Sequence, residues 1–568
     1  MNKKRILSLV IIILLAINIA ACSFVPRRVG LSSNYSENAS ADAMYHYSMG
    51  VLFRLDGKTD EAIASLEKAI IADPDSPYLV AELLSLYTEK GDLKRALEMG
   101  EKELAKYPDN VDLHLIMGGL YLNLRNYKQA IDEYEKVVGL DQKNLVAYLY
   151  LAIVYTAENK LVLAEDNFKK MLEIDPENVT GMYYYAKLLA DMHKYSEAEK
   201  MYQKVIALQP YFEVAVFDLA ALYEKQGKTN EAIAFYRGYY EKNRTRLNVR
   251  IKIAELLIKE KKYEEALAEY QSLLNFDPNN REARLRLGIL YYDMRRYKSA
   301  VVEFSTILKN NSADDRVRYL LASSYEEDGN KTLALEEYKK ISTQSELYAT
   351  AQIHSAMLLS NEGKTREAIH LIREALKINN RHVPSYLYLS SLYEKVKDNV
   401  AAENVLREGI ALYPDNIDLR YALGVICEKM SRFDESIKEM ETILRLDPDH
   451  AEALNFIGYS YADRGINLEE AEKMISKALQ LKPDNGYIID SLGWVHFKQS
   501  KLESALTHLK RALELLPDDY NVIEHLGDVY VKLGKLQEAQ KMYERASKLV
   551  PENDLLKKKL FDLKKEIR

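Results

Sequence analysis

An all-α solenoid of helix–turn–helix units is the fold class this chain predicts, on three observations. Between Tyr459 and Pro551 one pattern is stated three times: Gly458-Tyr459-Ser460-Tyr461, Gly493-Trp494-Val495-His496 and Gly527-Asp528-Val529-Tyr530. Each is followed by an alanine (Ala471, Ala505, Ala539), by a second alanine seven residues on (Ala478, Ala512, Ala546), and by a proline (Pro483, Pro517, Pro551). Those prolines stand 34 residues apart. A fixed period of that size marks stacked supersecondary units that bury a shared core between neighbours.

The N-terminus reads as an address. Lys3, Lys4 and Arg5 precede an apolar run from Ile6 to Ile17, shorter than the roughly 20 residues a bilayer span needs but suited to a signal-peptide core. The run leads to Ile19-Ala20-Ala21-Cys22, which resembles the lipobox of bacterial lipoproteins. That resemblance implies a signal peptide over 1–21, cleavage before Cys22 and lipidation (palmitate among the chains) of that cysteine. Several acyl chains on one residue anchor a protein stably. Ser23 follows, rather than the aspartate that holds enteric lipoproteins at the inner membrane, so the resemblance favours the outer membrane. Residues 22–42 are otherwise polar and read as a flexible tether.

The array occupies 43–553. A 34-residue frame laid from 43 runs to 451 without insertion or deletion; one extra residue falls near Gly465-Ile466-Asn467, and units from 486 and 520 bring the total to fifteen. Position 8 of each unit is small (Gly118, Ala152, Gly288, Gly424, Gly493, Gly527) except at Leu84, and position 20 is alanine throughout except Ser436. Small residues at both places let two helix axes approach closely. Proline ends the second helix of ten of the fifteen units; units six, eight, nine and ten (Arg244, Ser312, Glu346, Asn380) are among those that lack it. In unit two Gly100 stands where a large residue is usual, and Leu84 is expected to fill the space it leaves. Leu556, Leu560, Leu563 and Ile567 give the 554–568 segment one apolar face, opposed by lysines, as a solvated capping helix would have.

The unit resembles the tetratricopeptide repeat, two antiparallel helices joined by a short turn. The resemblance covers nearly all of the chain beyond residue 42 and implies a right-handed superhelix whose first helices line a concave groove. Through positions 2, 5, 9 and 12 it places Tyr459, Tyr487, Asp490, Trp494 and Phe497 on that surface in the last units, the alternative being that their rings pack between neighbouring helices. Aromatic anchors of this kind dominate interface energetics and suit an extended peptide or an amphipathic helix. The lysine–asparagine clamp by which some members hold a C-terminal carboxylate occurs in no unit.

Little else is chemically suggestive. The net charge of −7 argues against general nucleic-acid binding. Two cysteines, Cys22 and Cys427, exclude a disulfide framework, and Cys427 reads as a buried thiol. The ten histidines are scattered and include no i, i+4 pair, so no metal and no cofactor are expected. The recurrent acidic turns, such as Asp447-Pro448-Asp449, read as helix N-caps. Arg250, Arg284 and Arg318 share position 4 of successive units; they offer either a cradle for an anionic polysaccharide or partners for nearby glutamates. The expectation is a non-enzymatic scaffold on the periplasmic face of the outer membrane, serving envelope assembly, secretion or export. Guidance of an anionic polysaccharide during export is the alternative.

Overall fold

The computed structural model describes residues 41–567, and over that range it is wholly helical, with 31 helices and no strand. The expected signal peptide, Cys22 and most of the tether lie outside the described residues. The first helix takes in the last two tether positions, running Ala41–Leu55. Fifteen pairs follow the 34-residue frame, and every first helix except those of units one and ten begins on the first residue of its frame. The helices form two compact units that divide after Glu269, inside the helix Tyr263–Phe276.

Within each pair the small residue at position 8 meets a large side chain at position 24. A Cβ on Gly118 would stand 2.6 Å from the ring of Tyr134, and one on Gly288 2.6 Å from Phe304; both rings are fully buried. The position-20 alanines Ala62, Ala96, Ala130 and their successors are likewise buried. In unit two the exchange runs the other way. The space Gly100 leaves is filled first by Met117 of the next unit, whose thioether lies nearest to where a Cβ on Gly100 would stand; Leu84, fully buried and expected to fill it alone, comes to 3.4 Å.

Tyrosine, which occurs 42 times, ties neighbours together. At position 11 the phenol donates to a glutamate on the preceding unit: Tyr87 to Glu67 at 2.6 Å, Tyr121 to Glu101 at 3.0 Å, Tyr155 to Glu135 at 2.8 Å. Burial and then the adjoining carboxylate push these three phenols up to about 12. An aromatic body in the seam with a hydroxyl that reaches the neighbouring carboxylate is what tyrosine supplies and phenylalanine does not.

The turns refine the capping expectation. Asn144, Asn178, Asn280 and Asn416 accept the first-turn N–H of their helices, while the preceding aspartates Asp141, Asp175 and Asp277 hold three of those asparagines in place. Asp314 and Asp519 cap directly. Position 15 is left-handed in every unit, and in eight units the residue there is not glycine: Arg125, Asn159, His193, Lys261, Arg295, Lys397, Ser431 and Ser500. The extra residue of unit thirteen is absorbed by two left-handed positions, Gly465 and Asn467.

Unit nine departs most. Its second helix stops at Lys339, and an irregular stretch leads to Tyr348, with Ile341 still buried. The last helix, Asp554–Ile567, buries Leu556 and Leu563. Its lysine face is not wholly solvated. Lys559 reaches Glu524 at 2.7 Å and Asp528 at 2.8 Å, and Lys564 reaches Glu544 at 3.0 Å, so part of the charged face docks the cap on unit fifteen.

Candidate interaction surface

The five residues expected in the groove of the last units do not share one environment. Tyr487, in the first turn of Gly486–Lys498, is 58% exposed. Trp494, two turns on, is 7% exposed and Asp490 6%. Trp494 stacks on Phe497, with ring centroids 5.0 Å apart, and on His525 of the next unit at 4.1 Å, and the Lys498 ammonium lies over its ring, 4.9 Å from the centroid. Of the two placements open to it, Trp494 takes the packed one: its ring lies between neighbouring first helices, because a histidine one unit on covers it. Its Nε1–H is buried without a partner. Tyr459 and Phe497 are half-buried against the same group.

His525 is the residue the sequence reading missed. Its Nδ1 faces both carboxylate oxygens of Asp490, at 3.0 and 3.1 Å. Burial opposes the charge on the ring, but Asp490 outweighs it and holds the imidazole above its ordinary range. The same tie, from position 5 of one unit to position 6 of the next, joins Tyr183 to Asp218 at 2.8 Å and Tyr319 to His354 at 3.0 Å. Reading columns 5 and 6 of the frame together, rather than the apolar positions alone, would have found it.

What the first helices leave open is a sparser set of apolar side chains at positions 2 and 9. Val146 and Val214 are exposed in the first compact unit; Ile289, Met357 and Tyr487 are exposed in the second. Tyr183, by contrast, is buried, and Phe217, Leu285, Tyr292, Tyr319 and Tyr421 are half-buried.

The three arginines at position 4 are engaged. Arg284 pairs with Glu303 at 2.6 Å and donates to the Pro278 carbonyl at 2.6 Å; Arg318 pairs with Glu337 at 2.6 Å and donates to the Ser312 carbonyl. Arg250 lies 3.5 Å from Glu269 and over the Tyr240 ring at 4.5 Å. Arg420 with Glu439 and His114 with Glu133 repeat the arrangement at the same positions of their own units. A basic side chain at position 4 therefore clasps the second helix of its own repeat and, where a carbonyl is in reach, the preceding turn. Cys427 is buried, and burial raises its thiol above the usual range.

Comparison with known proteins agrees with this repeat. A tetratricopeptide-repeat family model matches residues 87–153, 257–323, 395–458 and 496–560, and a second matches 47–111. A model described as anaphase-promoting complex, cyclosome, subunit 3 matches 191–273. A TPR repeat-containing protein of Pseudomonas aeruginosa is 29% identical over 192 residues, 34% of this chain and 32% of that protein. Tetratricopeptide repeat protein 8 of Homo sapiens is 29% identical over 104 residues, 18% of this chain and 19% of its own length. The chain thus spans about a third or less of each relative. Among solved structures, a tetratricopeptide repeat protein from Parabacteroides merdae is 19% identical, covering 44% of this chain and 99% of that one with a TM-score of 0.33. The APC/C hetero-tetramer Cut9–Hcn1 is 16% identical, covering 86% and 96%, also with a TM-score of 0.33.

Proposed function

Since the chain is a tetratricopeptide-repeat protein, we propose that it is a non-enzymatic scaffold that binds protein partners along its first helices. In this reading it is tethered through lipid at Cys22 to the periplasmic face of a bacterial outer membrane, and its partners act in envelope assembly, secretion or export. The observation that carries the binding role is the recurrence on first helices of exposed apolar side chains at position 2 (Val146, Val214, Tyr487) and position 9 (Ile289, Met357), Tyr487 foremost. Isolated exposed apolar residues need no explanation, but recurrence at fixed positions of a repeat does. Support for the tether comes from the order of charge, apolar run and lipobox before Cys22.

Affinity capture from intact membranes tests the binding role. Wild type should recover an envelope protein that the Tyr487→Asp variant loses; recovery of nothing, or of the same set by both, refutes it. Palmitate labelling tests the tether separately, since label should be present on the wild type and absent from Cys22→Ser. No observation favours the polysaccharide alternative, because each arginine it would use is already held by its own glutamate.

A further inference from the structure

Spacing along one helix is a poor guide to which histidines meet across a helix pair. His496, in the last turn of Gly486–Lys498, and His508, on Leu502–Leu515, lie in the same unit with ring centroids 5.0 Å apart. His496 Nε2 lies 3.2 Å from the Glu472 carboxylate, which only accepts, so Nε2 carries the proton and Nδ1 keeps its lone pair. That Nδ1 is buried and has no hydrogen-bond partner. His508 Nδ1 lies 2.8 Å from the Ser504 carbonyl, which again fixes the proton on Nδ1 and leaves Nε2 as the lone-pair nitrogen. Each imidazole is thus held by a carboxylate or a backbone carbonyl at one nitrogen while the other stands ready, which is how metal-ligating histidines are oriented.

We propose that His496 Nδ1 and His508 Nε2 form a two-histidine site for a divalent first-row transition ion such as zinc. Two imidazoles ligating one tetrahedral ion at about 2.0–2.1 Å have ring centroids about 5 Å apart, the separation seen here. No group of three or more ligating side chains comes together among the described residues, so water or a partner's side chain completes the coordination sphere. The neighbouring Lys501 would repel a cation, but it is bound at 2.8 Å by the Glu472 carboxylate. His496 is 8% exposed and His508 is half-exposed, so the His508 side is the one open to solvent. Imidazole pairs select zinc, copper, nickel or cobalt over magnesium and calcium, which prefer oxygen ligands.

The site is tested with zinc and cobalt alone on the purified full chain. Histidine side-chain NMR should shift the His496 and His508 rings together on addition of one equivalent of zinc, and cobalt should give the visible band of a low-coordinate site. His508→Ala removes an outer ring without touching the core; it should weaken that equivalent at least tenfold, while His193→Ala, at an exposed histidine of another unit, leaves it unchanged. His508→Cys, which restores a ligand, should recover binding. If His508→Ala leaves affinity and stoichiometry as in wild type, or if both alanine variants lower them equally, zinc is held by surface histidines only and the site does not exist.

Discussion

Two adjacent glycines in one helix separate packing from helix propensity. Gly118 and Gly119 both lie inside Val111–Asn123, so alanine at either should gain the same roughly 0.5–1 kcal/mol of intrinsic helix stability. Their surroundings differ. A Cβ on Gly118 meets three atoms of the Tyr134 ring at 2.6, 2.7 and 2.9 Å, and that ring is fully buried with nowhere to retreat. A Cβ on Gly119 meets only the Tyr134 hydroxyl at 3.8 Å, an ordinary contact. Overpacking of a filled core costs about 1–3 kcal/mol. Gly119→Ala should therefore stabilise the third repeat by about 0.5–1 kcal/mol, and Gly118→Ala should leave it about 1–3 kcal/mol below Gly119→Ala. A repeat array need not unfold in one step, so the reading should be local: amide hydrogen exchange across residues 111–140, which converts protection into free energy repeat by repeat. Equal protection in the two variants would refute the argument that position 8 is small because position 24 fills it.

Three further outcomes follow from the same geometry. At position 15, Lys397→Gly should stabilise its turn and Gly363→Ala should destabilise its own, each by about 1 kcal/mol, since only glycine enters the left-handed region freely; local exchange at the two turns is the measure. Asp490→Asn should cost the C-terminal units more at pH 5.5 than at pH 8.5. His525 is held above its ordinary value, so its ion pair contributes fully below about pH 6.5 and the contribution is lost as pH rises through the raised folded value; melting at the two pH values with no difference in loss would refute this. Tyr155→Phe should cost about 1 kcal/mol by removing the hydroxyl bonded to Glu135, and Tyr155→Phe with Glu135→Gln should cost no more than the sum, as read by thermal unfolding.

Why the repeat was legible and its seams were not comes down to where each kind of information is written. Period, helix ends and close approach depend on residue types that have few substitutes, such as proline at a helix end or alanine where two axes cross, so Pro483 and Ala471 identify themselves. Capping was half legible: Asp447 marks the turn, but in sister turns it is Asn144 or Asn178 that takes the helix N–H, with the aspartate holding the asparagine. Position 15 was silent, because Arg125 and Lys397 adopt a left-handed backbone that their side chains do not advertise. The Arg250, Arg284 and Arg318 column was visible from the start, yet its meaning required the glutamates nineteen residues on, which only the fold brings into reach.

The same reasoning bears on why Trp494 is closed and Tyr487 open. Position 9 of a first helix faces the next unit's first helix as well as the groove, so what covers it is decided one repeat away. At Met357 and Ile289 that cover is light and the apolar side chain stays exposed. At Trp494 the next unit supplies His525, whose ring stacks at 4.1 Å and is itself anchored by Asp490. The tryptophan thereby becomes part of the seam, its Nε1–H sealed in without an acceptor, a buried donor that costs about 1–3 kcal/mol to leave unmade. A protein surface that needed only stability would place a phenylalanine there. On the scaffold reading proposed above, a partner's carbonyl that displaced the His525 ring would satisfy that donor. Trp494→Phe should then stabilise the free protein while weakening capture of the partner, whereas a purely structural tryptophan would lose stability on truncation and leave capture intact.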